Sequence, residues 1–207
     1  MDQLSRLETQ GYIFGKSEAV YEIALQALGV PQYRKDLRPD LKDENKSTHT
    51  GRFGLGEFPW HTDGAVSDVP PRWVLLTCLV NEAKADTELY LPSATQLETL
   101  NSIVLRTQNS LGQVRYLPAI SVVGANPLIR WDPRACPPTD QLIVDMFDDA
   151  QPTASINWQV GQTLLFDNFK FLHRRTRVSD GQERVIRREY IFLEGKCGRV
   201  TSSLVRP

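Results

Sequence analysis

From Arg72 onward the chain is cut into short apolar runs by turn-forming residues, and this pattern restricts the fold more than any other feature. The runs at 73–80, 86–91, 114–123, 127–131, 155–158, 162–167 and 186–193 are strand-sized and bounded by Gly, Pro, Asn, Asp or Ser. Three helices are expected around them. In Ser17–Leu28, the residues Val20, Ile23, Ala24, Ala27 and Leu28 recur at helical spacing, with Ser17 placed to cap the start and Gly29 and Pro31 to end it. Ser93-Ala94-Thr95-Gln96 has the form of a capping box and opens the helix-like stretch SATQLETLNSIVLR. A third helix starts near Pro138 or Thr139 and runs to about Asp149. Many short strands with few helices predict a mainly β (α+β) protein, a sandwich or barrel flanked by helices, and argue against a doubly wound parallel sheet.

A chain of 207 residues suits one domain spanning 1–207 with a core that needs no staples. Lys+Arg 24 against Asp+Glu 25 gives a net charge of −1, which disfavours a nucleic-acid binder that depends on a broad basic face. Cys78, Cys136 and Cys197 form no CxxC pair and are odd in number, so neither a disulfide framework nor a structural zinc site is expected. The N-terminal stretch lacks a basic region followed by an apolar one, and the longest apolar run, 73–80, is far too short to span a bilayer. The expectation is a soluble cytoplasmic protein with no membrane partner.

Histidine is scarce: His49, His61 and His173 are the whole set. Residues 32–58, which contain His49, are polar and then glycine-rich and read as a long loop, a kind of segment that often serves function. His49 reads as a surface residue, or the His49–Glu57 loop as a lid over the site that contacts substrate. The Asn45-Lys46-Ser47 sequon has meaning only in a secreted chain.

His61 and Asp63 stand two apart in Phe58-Pro59-Trp60-His61-Thr62-Asp63-Gly64, so on a strand both aim at one point. Alone, such a tripeptide is weak. His173 follows the run 162–167 and a turn, in which Asp167 and Asn168 shape the chain or support the histidine. Two imidazoles and one carboxylate make the facial triad of non-haem Fe(II) sites, which leaves three coordination positions open. The same set also suits zinc in a hydrolase, although no HExxH motif is present, and a non-catalytic β-sandwich binding module would use all three as structural residues. Arg184 lies 11 residues beyond His173 (184 − 173) and Arg188 lies 15 beyond (188 − 173). Four apart, they share a face of a strand and can clamp a carboxylate, while Arg187 points outward.

With these residues in order, the chain resembles the Fe(II)/2-oxoglutarate-dependent dioxygenases of the taurine dioxygenase and clavaminate synthase-like type. The resemblance covers roughly residues 55–195 and rests on WHTDG, VPPRWVLLTCL, NPLIRWDP and GQTLLFDNFKFLHRRT followed by Arg184 and Arg188. Ala85-Asp86-Thr87-Glu88 looks like the family's Gly-Gly-x-Thr turn with its glycines replaced, and Asn126 stands where histidine is common. The resemblance implies a distorted double-stranded β-helix (jelly roll) with flanking helices. It implies that His61, Asp63 and His173 bind Fe(II), and that Arg184 and Thr87 hold the distal carboxylate of 2-oxoglutarate. It gives Arg188 an anionic group of a small, anionic or zwitterionic substrate, or a share in holding the cosubstrate. The implied reaction consumes O2 and 2-oxoglutarate, releases succinate and CO2, and hydroxylates an unactivated C–H bond; desaturation or cyclisation are the alternatives on that scaffold.

Overall fold

The computed structural model describes residues 2–39, 49–108, 113–134 and 141–193. The first helix, α1 (Gln3–Gln10), is capped by the Asp2 carboxylate, which accepts from Ser5 N, and is ended by Gly11 at φ 78°. Glycine is required there twice over. The left-handed φ disfavours a side chain, and a Cβ at this position would meet the Phe171 ring at 2.8 Å. Then follow β1 (Tyr12–Lys16), α2 (Ser17–Ala27), β2 (Tyr33–Leu37), α3 (His49–Phe53), β3 (Trp73–Asn81) and β4 (Thr87–Tyr90). The next elements are α4 (Ala94–Asn101), β5 (Val104–Gln108), β6 (Val114–Pro118), β7 (Ile120–Val123), β8 (Asn126–Ile129) and α5 (Gln141–Asp148). The last are β9 (Ala154–Ile156), β10 (Gln162–Asp167), β11 (Leu172–Arg175) and β12 (Arg184–Ile191).

A five-stranded antiparallel sheet has the order β1-β10-β3-β12-β2, and a three-stranded sheet has the order β11-β4-β9. Two further hairpins pair β5 with β6 and β7 with β8. The protein is therefore mostly β with antiparallel sheets, as its turn-punctuated sequence predicts. Residues from both larger sheets, including Val74, Leu76, Leu89, Ile156, Leu164, Phe166 and Ile186, form the core between them. The outer face of the five-stranded sheet packs Ile13, Leu75, Leu165 and Ile191 against Leu7 of α1 and Val20 and Ala24 of α2. A third cluster joins Trp60, Leu100, Leu105, Trp131, Phe147 and Leu172 on the other side of the smaller sheet.

Several sequence expectations are corrected. Ser17 does not cap α2: Lys16 is the capping residue, and Ser17 Oγ donates to the Gly161 carbonyl at 2.7 Å. Ser93 does form its capping box with Gln96, yet the helix stops at Asn101, and the β-branched stretch after it enters β5. The single strand expected over 114–123 is two strands of different hairpins separated at Ala119, and the loop expected over 32–58 contains β2 and α3. The strand expected over 186–193 starts two residues earlier, at Arg184. Cys136, Cys197, the Asn45 sequon and residues 138–140 lie outside the described residues. Cys78 is buried with a free thiol. No helix among the described residues is long and apolar enough to cross a membrane.

Candidate active site

His173 sits on β11, where alternation sends it and Arg175 to the face that looks at the five-stranded sheet. His61 reaches the same place without belonging to a strand. It forms an isolated antiparallel bridge with His173, in which His61 N donates to His173 O at 3.1 Å and His173 N donates to His61 O at 2.8 Å. The chain turns immediately afterwards, so Asp63 arrives from a turn and not, as the sequence suggests, from the next inward position of a strand. Asn168 holds that turn: its Oδ1 accepts from Asp63 N at 2.8 Å, and its Nδ2 donates to Asp63 O at 3.0 Å and Pro71 O at 2.9 Å. Asn168 thus supports Asp63, whereas the sequence reading linked it to His173.

Ligand atoms of His61, Asp63 and His173 all lie within 4.8 Å of one another, and all three residues are buried. His61 Nδ1 bonds to the Pro59 carbonyl at 2.9 Å, which assigns its proton to Nδ1 and its lone pair to Nε2. Asp63 Oδ1 accepts from Arg188 Nη1 at 2.8 Å, while Oδ2 is buried without a hydrogen-bond partner among the described residues, 3.7 Å from His173 Nε2. Burial pushes the Asp63 carboxyl up, but the Arg188 guanidinium outweighs it and holds the pKa below the ordinary carboxylate value. Burial lowers both histidines, His173 to about 3 with help from neighbouring His61. Two neutral imidazoles and an ionised carboxylate with an unanswered buried oxygen are the donor set a divalent cation requires.

The second part of the site lies on β12 and β4. The β12–β3 register skips Leu79, but β12 itself alternates regularly, so Arg184, Ile186, Arg188 and Tyr190 share the inner face. Arg187 points outward, as expected, and pairs with Asp36 at 3.0 Å. Arg184 is buried; its Nη2 donates to Thr87 Oγ1 at 3.3 Å and its Nε to Ala85 O at 3.4 Å. Burial lowers its pKa to about 10, against the pull of Cys78 and Asp86. Arg188 is the one expected anion-binding residue whose guanidinium is committed to a carboxylate of the protein itself. Its Nε is buried without a partner among the described residues. Trp158, which the sequence reading did not single out, donates from Nε1 to Thr87 Oγ1 at 3.0 Å.

The walls are well anchored. Phe166 lies against His173 with ring centroids 5.0 Å apart, and Trp60 is buried beneath the Arg174 guanidinium, 4.3 Å from its ring centroid. Arg174 also pairs with Glu88 at 2.6 Å and Glu57 at 2.5 Å. Arg175 Nη2 donates to the carbonyls of Gly54 at 2.7 Å and Gly56 at 2.5 Å, and its guanidinium covers the Phe58 ring at 3.9 Å. Main-chain bonds from Phe58 N to Arg175 O and from Val178 N to Leu55 O complete the seam. Residues 54–58 are thus stitched to the strand that carries His173. Phe58 also lies edge-on to the His61 ring with centroids 6.3 Å apart, so this wall borders the cluster the sequence suggested it would cover.

No protein-family model matches the chain, and no curated protein matches it by sequence. Solved structures do. An asparagine oxygenase in complex with Fe(II), 2S,3S-3-hydroxyasparagine and succinate superposes with a TM-score of 0.69 at 17% identity, over 91% of this chain and 77% of that one. The non-heme iron oxygenase OrfP, in complex with Fe, succinate and (3S)-hydroxy-L-Arg, gives 0.60 at 18% identity over 84% and 63%. PvcB, an Fe, alpha-ketoglutarate dependent oxygenase from an isonitrile synthetic pathway, gives 0.59 at 15% identity over 92% and 78%. Across most of its length, the chain has the fold of these iron- and 2-oxoglutarate-dependent oxygenases.

Proposed function

We propose that this chain is a single-domain, non-haem Fe(II)- and 2-oxoglutarate-dependent oxygenase that hydroxylates an unactivated C–H bond of a small amino-acid-like or specialised-metabolite substrate. The observation that carries the reading is the cluster of His61, Asp63 and His173, with Asp63 Oδ2 buried and unanswered beside two neutral imidazoles. The two larger sheets are read as the halves of a distorted jelly roll with the metal between them. Fe(II) held by these three residues would supply O2 activation coupled to conversion of 2-oxoglutarate into succinate and CO2.

The chain's own residues do the positioning. Arg184 and Thr87 hold the distal carboxylate of 2-oxoglutarate through charge-assisted bonds in a buried setting, where such bonds are strong. Arg188 fixes Asp63 through Oδ1, so that Oδ2 is the oxygen presented to the metal. The same guanidinium is proposed to meet an anionic group of the substrate, in keeping with the amino-acid products bound to the asparagine oxygenase and OrfP neighbours. Phe166, Trp60 and the 54–58 wall exclude water from the reacting centre. The unpaired thiol of Cys78 is in keeping with a reducing, cytoplasmic setting.

The test is anaerobic addition of Fe(II) and 2-oxoglutarate, which should produce the weak visible charge-transfer band of a chelated ferrous site. His173→Ala should abolish it, and admission of O2 should convert 2-oxoglutarate to succinate. A wild-type protein that shows neither the band nor turnover overturns the proposal. Screening amino-acid and metabolite pools for +16 products then identifies the substrate, and −2 products would identify desaturation or cyclisation instead.

A further inference from the structure

Resting on the cosubstrate reading above, we propose that Trp158 is a positioning residue whose indole N–H fixes the Thr87 hydroxyl as a donor to the distal carboxylate of 2-oxoglutarate. A threonine hydroxyl has one proton and two acceptor lone pairs, whereas an indole N–H and a guanidinium N–H can only donate. Thr87 Oγ1 receives both Trp158 Nε1, at 3.0 Å, and Arg184 Nη2, at 3.3 Å. With both acceptor positions taken, the proton of Thr87 must point elsewhere. Thr87 is only 3% exposed, and no bond within the described residues uses that proton. A buried donor left unanswered is costly, so the arrangement calls for an acceptor that arrives with a ligand.

The surroundings state the charge of that acceptor. Arg175 is the direct cross-strand partner of Thr87 in the β11–β4 register and projects to the same face. Arg184 approaches from the opposite sheet. Neither guanidinium has a carboxylate within ion-pair distance among the described residues; Arg175 is answered by main-chain carbonyls and Arg184 by Ala85 O and Thr87. The Trp158 ring cannot drift: it is 4% exposed and packs edge-on against Phe14, with centroids 5.5 Å apart. Without its N–H, the Thr87 hydroxyl can rotate and turn a lone pair toward the incoming carboxylate.

The test is calorimetric titration of the Mn(II)-loaded protein with 2-oxoglutarate and with 2-oxobutyrate, a 2-oxo acid that lacks the distal carboxylate. Trp158→Phe should weaken 2-oxoglutarate about fivefold, the worth of one hydrogen bond, and leave Mn(II) and 2-oxobutyrate binding unchanged. Thr87→Val should lose a similar amount, and the double variant little more than Thr87→Val alone. Unchanged 2-oxoglutarate affinity in Trp158→Phe, equal losses for both acids, or additive losses would each overturn the proposal. If Trp158→Phe does not fold, the wild-type protein loaded with Zn(II) suffices: the Trp158 Nε1–H NMR resonance should shift with 2-oxoglutarate and not with 2-oxobutyrate, and the same response to both overturns the inference. Failure of the wild type to bind 2-oxoglutarate removes the cosubstrate reading, and this proposal with it.

Discussion

The side-chain amide of Asn168 grips the main chain of Asp63 at two points, accepting from its N–H at 2.8 Å and donating to its carbonyl at 3.0 Å. A third bond, to Pro71 O at 2.9 Å, ties the same amide to the segment that leads into β3. Asn168 is fully buried, so none of these groups can turn to water instead. The position of the carboxylate between the two histidines therefore depends on a residue 105 positions away in sequence.

Replacing Asn168 with Ala leaves three buried main-chain groups without a partner. The loss should be about 2–4 kcal/mol in urea unfolding, from roughly 1–3 kcal/mol per orphaned group with partial relaxation. Mn(II) affinity should fall about 10- to 100-fold, as is typical for groups that orient a ligand. Asn168→Asp should do no better, because it keeps an acceptor for Asp63 N but faces two carbonyls with another acceptor. A variant with unchanged Mn(II) affinity would show that the turn holds Asp63 unaided.

The pair Arg188–Asp63 predicts a linkage between metal and stability. Arg188→Met strands a buried carboxylate beside two neutral imidazoles and should cost about 3 kcal/mol in the metal-free protein. A divalent cation restores positive charge at that carboxylate, so Mn(II) should raise the melting temperature of Arg188→Met more than that of the wild type. Adding Asp63→Asn to Arg188→Met should recover part of the lost stability. Equal Mn(II)-induced shifts in wild type and Arg188→Met would contradict this account.

Sequence legibility followed burial. β3, β10 and α2 announce themselves, since each buries apolar side chains in a regular pattern against a neighbour. β2 (YRKDL) stands at a sheet edge with a mostly exposed burial pattern, so no hydrophobic period marks it. α1 buries only Leu7, and its polar stretch carries little more signal than a loop. At the site, the residue types of the triad and the spacing from His173 to Arg184 and Arg188 were readable because they reflect local strand geometry. The bridge between His61 and His173, the Asn168 grip and the Trp158–Thr87 bond were not, because each joins segments 70 or more positions apart. The commitment of Arg188 to Asp63 was hidden for the same reason.

Arg175 should prove essential to the wall formed by residues 54–58. Its one Nη2 serves two carbonyls while the guanidinium plane covers Phe58, a combination that the point charge of lysine cannot copy. Both Arg175→Lys and Arg175→Met should lose about 2–3 kcal/mol, given that bonds to charged groups contribute roughly 1.5–3 kcal/mol each before the relief of burying a cation is deducted. Hydrogen exchange at Phe58 N and Val178 N, both of which bond across this seam, should accelerate in either variant. Retained protection at those two amides would show that the main-chain bonds hold the wall without Arg175.

Glu189 predicts a pH dependence that originates away from the His61–Asp63–His173 cluster. It is 1% exposed on the outer face of the five-stranded sheet, where Oε2 accepts from the Tyr21 hydroxyl and Oε1 from Arg34 Nε at 2.8 Å. Burial pushes its pKa above the ordinary 4.5, and Arg34 is too exposed to offset this, since solvent screens its charge. The folded state therefore holds the Glu189 proton more tightly than the unfolded chain does. The Glu189 contribution to stability therefore falls as pH rises from 4.5 toward the raised value, and levels off above it. Glu189→Gln keeps an acceptor for Tyr21 without the titration, so its stability should lack this component of the slope. Burial also raises Asp86 and Asp167, but both act in either protein and cancel in the difference. Urea midpoints compared from about pH 4.5 to about pH 8 should show Glu189→Gln gaining on the wild type as pH rises. Parallel curves would mean that Tyr21 and Arg34 keep the Glu189 carboxylate as well solvated in the fold as water does.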